Sequence, residues 1–408
     1  MMGWWTPFVL LFALSLATAL IMTPVARRIA WKVGAVDHPG GRRINDRPLP
    51  RMGGIAVFVA IFVGFFGTSL IMHLTGKAEA ITIESVMGTN VDYGHLALSL
   101  SVMFLTGLLD DLFSLSPKQK LVGQIIAALI AVSGGLSISL IVNPLTNGGI
   151  TFDAWLSYPL TALFLVAYAN IFNLIDGLDG LASGIAAIAS ITMWVVSTMA
   201  GHYDAAGLSL LIAGSTLGFL RYNFNPASVI LGDSGSLLLG FSLGAVSLMS
   251  VQRVAGLTSI IVPLVISFIP IMDTFSAIVR RSRANVSIGQ ADKGHIHHRL
   301  MEEGFNQRET VFFIYLWTGM LCVGSIVMTQ VTVLPRIFIF CVLIIASFLF
   351  SMRLHLFRPV LLHHYNPETG ADELVNPSDA AFEEEAERFE EEHSLFPSVS
   401  SNDKTRPL

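Results

Sequence analysis

Aspartates interrupt several long apolar stretches of this sequence. Two are adjacent in "GLLDDLF", two are three residues apart in "NLIDGLDGL", and one occurs in "ILGDSGS": Asp110, Asp111, Asp176, Asp179 and Asp233. Acidic residues at membrane depth are expensive and are functional-site candidates by default. Two adjacent carboxylates also repel each other unless a cation lies between them or one is protonated. Hard oxygen ligands without cysteine partners favour Mg²⁺, with Mn²⁺ as the second choice.

Basic residues and histidines are concentrated in two segments, 37–54 and 280–300. The second reads "RRSRANVSIGQADKGHIHHRL" and brings His295, His297 and His298 close to Lys293 in the chain. The two cysteines of the sequence lie elsewhere, in apolar runs, so a phosphate-binding or acid/base role suits the histidines better than a zinc site. Carboxylates for a metal, a cationic clamp and a membrane together predict transfer of a phosphorylated group to a lipid.

The elements that must position these residues are membrane helices. The 408 residues are 53% hydrophobic and only 13% charged, whereas soluble domains carry about 25% charged residues. A span needs about 20 apolar residues. The sequence therefore predicts an all-α polytopic membrane protein with about eleven transmembrane helices, near 4–26, 54–74, 93–109, 120–142, 155–174, 178–199, 204–222, 235–250, 257–279, 311–331 and 334–352.

The distribution of positive charge predicts the orientation of these helices. With eleven spans, 21 of the 24 lysines and arginines fall on one side, and only Lys77, Arg253 and Arg336 fall on the other. The positive-inside rule then places the N-terminus outside and the C-terminus in the cytoplasm. All the aspartates named above come out at the cytoplasmic face, which is where several loops could build one site.

The composition changes near the C-terminal end of the sequence. We predict a transmembrane catalytic domain over 1–352 and an acidic, partly disordered cytoplasmic tail over 353–408. The run "NPSDAAFEEEAERFEEEH" predicts a short acidic helix capped by Ser378. We assign no catalytic role to this tail.

Five motifs in order resemble one known family. They are "RRINDRPLPRMGG", "LLDDLFSLSPKQKLVGQ", "NLIDGLDGLASG", "FNPASVILGDSGSLLLG" and "RRSRANVSIGQADKGHIHHRL". Together they are similar to the signatures of the polyprenyl-phosphate N-acetylhexosamine-1-phosphate transferases, and the resemblance covers about residues 1–350. It implies transfer of a sugar 1-phosphate from a UDP-sugar to undecaprenyl phosphate, with release of UMP and a requirement for Mg²⁺.

The resemblance also implies roles for individual residues. Asp233 would be the main metal ligand with Asp110 and Asp111 adjacent, and one of that pair would deprotonate or orient the lipid phosphate. Four residues would face the nucleotide, with Asp179 near the uracil: Asn173, Asp176, Asp179 and Asn223. The pyrophosphate or sugar would be held by His295, His297, His298, Arg280, Arg281, Arg283 and Lys293, and Arg47 of the first cytoplasmic loop is a further predicted substrate contact.

The form "HIHH" after an arginine-rich run narrows the expected donor. It resembles the branch that begins O-antigen, enterobacterial common antigen or teichoic acid linkage units, so UDP-GlcNAc is the first choice, with UDP-GalNAc or a modified hexosamine still open.

The expected location is the bacterial cytoplasmic membrane, with a homodimer expected by analogy and no nucleic-acid partner. The alternative from another class is a transporter or flippase of lipid-linked sugars, which would place charges near mid-membrane.

Overall fold

The computed structural model describes residues 5–38, 47–76, 91–142, 149–251, 258–287, 294–358, 360, 362–366 and 371–375. Within these residues the chain is mainly helical. The helices are α1 (Thr6–Val33), α2 (Gly54–Leu74), α3 (Tyr93–Phe113), α4 (Pro117–Ser133), α5 (Ala154–Ile175), α6 (Leu181–Met199), α7 (Tyr203–Asn223), α8 (Gly232–Val251), α9 (Thr258–Ile266), α10 (Phe268–Arg283), α11 (Ile296–Glu302), α12 (Gln307–Gln330) and α13 (Val333–Arg353). Three short antiparallel hairpins pair β1 (Val36–Asp37) with β2 (Leu49–Pro50), β3 (Leu140–Val142) with β4 (Gly149–Thr151), and β5 (Leu362–Asn366) with β6 (Ala371–Val375).

Eight of the described helices are long and apolar enough to cross a membrane, namely α1, α2, α3, α5, α6, α7, α12 and α13. This finding confirms the prediction of an all-α polytopic membrane protein. The count of eleven spans and the orientation of the termini stay predictions.

Two predicted spans differ from the helices that the structure shows. The helix predicted over 120–142 ends at Ser133, because Gly134 follows it and Gly135 adopts a left-handed backbone with φ 97°. The helix predicted over 257–279 is divided into α9 and α10 around Ser267. Pro270 accounts for this division, since it has no N–H to donate to the carbonyl four residues earlier.

The chain divides into two compact units, residues 1–272 with 304–347, and residues 273–303 with 348–408. The first unit contains the predicted metal and nucleotide residues, and the second contains the histidine segment. The predicted tail over 353–408 includes the β5–β6 hairpin, which the sequence analysis did not anticipate. Lys293 and the acidic helix predicted from Ser378 lie outside the described residues.

Helix α8 lies at the centre of the first unit. It packs against α2, α3, α5, α6, α7 and α9, and its side chains from Ser234 to Met249 are buried. Glycines allow these neighbours to come close: a Cβ on Gly240 would lie 2.4 Å from the Tyr168 carbonyl oxygen of α5, and one on Gly107 of α3 would lie 2.4 Å from the Asp233 carbonyl oxygen. The first turn of α8 is therefore fixed by neighbours on several sides.

A short connection brings the start of α4 back beside the end of α3. Ser114 ends α3 in a left-handed conformation with φ 50°, and its N–H donates to the Asp110 carbonyl. Ser116 then begins α4 with a capping box, in which its hydroxyl accepts from the Gln119 N–H and the Gln119 side chain accepts from the Ser116 N–H. With Pro117 in the first turn, this arrangement starts α4 within four residues of the end of α3.

Candidate active site

Lys120, in the first turn of α4, joins two of the predicted aspartates. Its Nζ atom lies 2.9 Å from Asp110 Oδ2 and 2.9 Å from Asp233 Oδ1. The two carboxylates come from the last turn of α3 and the first turn of α8, so the ammonium connects three helix ends. Side-chain exposure is 17% for Lys120 and 27% for Asp233, which leaves this point accessible from one side.

Asn173, in the last turn of α5, completes this group. Its Nδ2 donates to Asp233 Oδ1 and, over 2.9 Å, to Ser236 Oγ, while its Oδ1 accepts from Lys120 Nζ at 3.2 Å. We call Asp110, Lys120, Asn173 and Asp233 the polar centre. The structure thus brings together three residues that the sequence analysis named and one, Lys120, that it did not.

Asp176 follows directly as the C-cap residue of α5 and is partly buried. Withdrawal from water raises the pKa of its carboxyl group well above the usual value, and the charges of Asp233, Asp111 and Asp179 raise it further. The C-terminal end of a helix also disfavours a negative charge. Asp176 thus lies in an excess of negative charge, which a bound cation would relieve.

Asp111 has different partners from its neighbour Asp110. Its Oδ1 accepts from the Asp233 N–H at 2.9 Å, and its Oδ2 accepts from the Ser234 N–H at 3.0 Å and the Ser234 hydroxyl at 2.6 Å. Asp111 is only 1% exposed. Its carboxylate therefore caps the N-terminus of α8 from a different helix.

The chain around this cap is held by residues 50–54. Arg51 donates from Nε and Nη2 to the Asp111 carbonyl oxygen, at 3.0 and 2.6 Å. The N–H groups of Gly53 and Gly54 donate to the carbonyls of Ile230 and Leu231 at 3.1 and 2.9 Å. The end of the loop between α1 and α2 is thus bonded both to α3 and to the segment that leads into α8.

Three other predicted substrate contacts have internal partners. Asp179 Oδ2 accepts from Asn225 Nδ2 at 3.1 Å and from the Ala227 N–H at 3.0 Å, and Arg47 Nη2 donates to the Ala227 carbonyl at 2.8 Å. Asn223 accepts from Ser183 Oγ at 2.6 Å and donates to the Val229 carbonyl at 3.0 Å. These three side chains hold the segment between α7 and α8. The contacts of Asp179 and Asn223 with the nucleotide, and of Arg47 with the substrate, stay predictions.

In the second unit, Asp273 positions the histidine segment. Its Oδ2 lies 2.8 Å from His295 Nδ1, and its Oδ1 accepts from the Ile296 N–H at 2.8 Å. The ring of His295 lies parallel to that of His297 at a centroid distance of 5.9 Å, and the rings of His297 and His298 are 4.4 Å apart. The structure therefore groups the three predicted histidines at the start of α11.

His297 is the most deeply buried of these three histidines. Burial lowers its pKa to about 3, and the neighbouring His298 contributes to the lowering. Its Nδ1 has no hydrogen-bond partner among the described residues. His297 is therefore a neutral imidazole at pH 7.

The predicted basic residues of this unit differ in exposure. Arg280 is 1% exposed, and its Nη1 donates to the Leu356 carbonyl at 2.6 Å and to Ser276 Oγ at 3.1 Å. A Cβ on Gly294 would lie 2.4 Å from Arg280 Nε, so only glycine fits beside the guanidinium. Arg281 is 7% exposed and Arg283 is exposed. Arg280 thus joins α10 to the segment after α13 within this unit.

The polar centre fits a divalent cation in its chemistry. Within the described residues, no group of three or more His, Cys, Asp or Glu side chains could hold a metal ion alone. Two carboxylates, Asp110 and Asp233, nevertheless converge on one cation, the Lys120 ammonium. Mg²⁺ is commonly held by one or two carboxylates with substrate phosphates completing its coordination, so these two aspartates suit it.

Comparisons with known proteins agree with this arrangement. Residues 93–251 match the model of Glycosyl transferase family 4, a range that contains the whole polar centre. The chain is 39% identical over 337 residues to the probable undecaprenyl-phosphate N-acetylglucosaminyl 1-phosphate transferase of Bacillus subtilis, covering 83% of this chain and 89% of that protein. It is 35% identical over 332 residues to the decaprenyl-phosphate N-acetylglucosaminephosphotransferase of Mycobacterium tuberculosis, covering 76% of this chain and 80% of the relative.

A relative from a second branch is also similar. The phospho-N-acetylmuramoyl-pentapeptide-transferase of Bacillus cytotoxicus is 32% identical over 282 residues, covering 66% of this chain and 80% of that protein. Three observations support the same assignment. They are the helices that could span a membrane, the charged centre at the helix ends and the extent of these matches. The chain is a multi-pass membrane phosphotransferase and belongs to the polyprenyl-phosphate N-acetylhexosamine-1-phosphate transferase family.

Proposed function

We propose that the chain transfers N-acetylglucosamine 1-phosphate from UDP-GlcNAc to undecaprenyl phosphate and releases UMP. A lipid phosphate oxygen attacks the sugar-linked phosphorus, the phosphoanhydride bond breaks, and its electrons leave with UMP. The observation that carries this proposal is the convergence of Asp110, Lys120, Asn173 and Asp233 at the ends of four helices. Such a centre suits the positioning of phosphates, which is most of what phosphoryl transfer requires of a protein.

The residues of the polar centre have distinct proposed roles. Asp233 and Asp110 would hold Mg²⁺, which when bound neutralises negative charge on the transferring phosphate. Lys120 is already paired with both carboxylates and can exchange one of them for a phosphate oxygen of the substrate. Asn173 keeps Asp233 oriented through its Nδ2. Mn²⁺ is a second candidate metal because it prefers the same hard oxygen ligands.

The nucleotide end of the donor is proposed to lie near residues 173–179. Asn173 of the polar centre and the nearby Asp176 are both partly exposed there. Asp179 and Asn223 act through the segment between α7 and α8, which their hydrogen bonds hold in place. The roles in binding that the resemblance gives to His295, His297 and His298 remain proposals that substitution of each histidine would test.

The proposed location is the bacterial cytoplasmic membrane, with the polar centre facing the cytoplasm. The support is the charge partition, in which 21 of 24 basic residues share the side of the aspartates. Basic loops on that side would also attract UDP-sugars and the phosphate of the lipid.

The donor and the acceptor are proposed from the names of the relatives. Two relatives that cover three quarters or more of this chain are named for N-acetylglucosamine and a polyprenyl phosphate. UDP-GalNAc and modified hexosamines are the donors to compare, and decaprenyl phosphate is the acceptor to compare. A transporter or flippase finds no support in these matches.

The test is UMP release by the purified protein in detergent, given UDP-GlcNAc, undecaprenyl phosphate and Mg²⁺. We expect turnover with these three components, none without the metal, and none for Asp233→Asn. Folding of the variant is checked by its elution from a sizing column. If folded wild-type protein releases no UMP with any UDP-hexosamine, the proposal is wrong.

A further inference from the structure

We propose that Asp111 is a positioning residue that fixes the N-terminus of α8, and through it Asp233, instead of being a metal ligand. The consequence for catalysis rests on the proposed function. The structural part does not, because it concerns hydrogen bonds within the chain. Two adjacent aspartates of identical chemistry thereby acquire different tasks.

Both oxygens of the Asp111 carboxylate are already engaged. They accept three hydrogen bonds, two from backbone N–H groups of α8 and one from the Ser234 hydroxyl. The first N–H groups of a helix have no partner within it, and α8 satisfies two of them with this carboxylate. A metal bound at Asp111 would have to compete with these buried donors.

The backbone around this cap is closely packed. A Cβ on Gly232, where φ is +74°, would lie 2.7 and 2.8 Å from the two Asp111 carboxylate oxygens and 2.9 Å from the Arg51 carbonyl oxygen. The carboxylate therefore lies directly against the backbone that precedes Asp233. Arg51 fixes the other end of the residue through the Asp111 carbonyl.

Asp111 also differs from Asp233 in its exposure to solvent. Asp111 is 1% exposed, while the side chain of Asp233 is 27% exposed and points to Lys120 and Asn173. The Asp233 N–H itself donates to Asp111. Loss of this cap frees the residue that carries the exposed carboxylate, so Asp111 acts on the polar centre through the backbone of α8.

Hydrogen exchange tests the structural part directly. Purified wild-type protein is compared with Asp111→Asn, with Ser234→Ala, which removes only the hydroxyl bond, and with Ser242→Ala. Ser242 is buried in the same helix and its hydroxyl has no partner among the described residues, so it is the matched control. We expect exchange of a peptide covering 232–236 to rise about tenfold in Asp111→Asn, as loss of a charge-assisted hydrogen bond predicts. Ser234→Ala should show a smaller rise and Ser242→Ala none.

Metal binding separates a positioning residue from a ligand. Mn²⁺ binding is followed by electron paramagnetic resonance for the wild type, Asp111→Asn and Asp233→Asn. We expect Asp233→Asn to weaken Mn²⁺ binding by more than about tenfold, and Asp111→Asn, which keeps both proposed ligands, to weaken it by a smaller factor. In the UMP assay, Asp111→Asn should lower kcat by a larger factor than it raises the Mg²⁺ concentration for half-maximal rate.

Two outcomes overturn the inference. One is unchanged exchange over 232–236 in both Asp111→Asn and Ser234→Ala. The other is Mn²⁺ binding that Asp111→Asn weakens as much as Asp233→Asn does. Failure of the proposed function is recognised separately, as the absence of UMP release by wild-type protein, and it leaves the exchange result valid.

Discussion

The Nζ atom of Lys120 lies 2.9 Å from Oδ1 of Asp233, a residue 113 positions further along the chain. The pair is partly withdrawn from water, where an ion pair is screened less than at an open surface. Because the same ammonium also contacts Asp110, it balances two carboxylates that would otherwise repel. Lys120 therefore holds two helix ends together and also has a proposed role in the reaction.

Replacement of Lys120 by methionine should therefore abolish most activity. Loss of one preorganised charged group at a reacting centre typically lowers kcat by about 10²- to 10³-fold, and we expect an effect of this size in the UMP assay. Lys118→Met is the control, since Lys118 is exposed in the same helix turn. Equal activity of the two variants would exclude Lys120 from the polar centre.

A reciprocal pair of amides holds α4 against α5 one turn beyond Lys120 and Asn173. Gln124 Nε2 donates to Asn170 Oδ1 at 3.2 Å, and Asn170 Nδ2 donates to Gln124 Oε1 at 2.7 Å. Polar pairs in membrane helices couple by about 0.6 kcal/mol on average and up to about 1.7 kcal/mol. A double-mutant cycle of Gln124→Leu and Asn170→Leu, followed by thermal unfolding in detergent, should give a coupling of about 1 kcal/mol. Strictly additive losses would show that the pair contributes nothing.

The sequence predicted the helices better than it predicted the tasks of individual residues. Long apolar runs identify membrane helices, and the charge partition collects Asp110, Asn173 and Asp233 at one set of helix ends. Neither pattern predicts which way a side chain points within a helical turn. Asp110 and Asp111 are adjacent, yet successive residues of an α-helix differ by about 100° around its axis. One faces Lys120 and the other faces the first turn of α8.

The role of Lys120 could not be predicted from the sequence for a related reason. A lysine at a helix end on the predicted cytoplasmic side is expected from charge bias alone. Its significance depends on the three-residue connection between α3 and α4, which turns the chain back on itself. The signals that could have found it were "LSPKQK", which combines a serine cap with proline in the first helical turn, and the aspartate pair just before it.

Tyr315 of α12 is hydrogen-bonded to the end of the "DGLDG" segment, residues 176–180. Its hydroxyl donates to the Gly180 carbonyl, and it fits there because position 184 has no side chain. A Cβ on Gly184 would lie 1.9 Å from the Tyr315 oxygen and 2.0 Å from Cζ. Gly184→Ala should displace the ring and reduce stability by about 1–3 kcal/mol, as overpacking typically does.

The control for this substitution lies in α12 itself. A Cβ on Gly319 would meet nothing within 4 Å. Gly319→Ala should therefore leave the unfolding temperature in detergent unchanged or raise it slightly, because alanine favours a helix more than glycine does. If both alanine variants have the stability of the wild type, Tyr315 does not depend on Gly184.

His297 gives a pH dependence of stability with a definite sign. Its pKa of about 3 in the folded unit lies below the ordinary value of 6.5, so the unfolded chain takes up this proton first. Stability from the neutral imidazole is complete above pH 6.5 and is lost as the pH falls towards 3. We expect the unfolding temperature of the wild type to fall more steeply over this range than that of His297→Leu. Identical slopes would show that His297 is protonated as readily in the folded protein as in the unfolded chain.

The order in which the polar centre can be completed follows from its chain positions. Asp110 and Lys120 leave the ribosome early, but their partner Asp233 comes 113 residues after Lys120. The N–H groups of Gly53 and Gly54 donate to the Ile230 and Leu231 carbonyls, which are separated from them by an even longer stretch of chain. Until α8 is inserted, the Asp111 carboxylate lacks its three donors from the first turn of α8, and Lys120 lacks the second of its two carboxylate partners. Insertion of α8 is thus the step of biosynthesis that completes the polar centre.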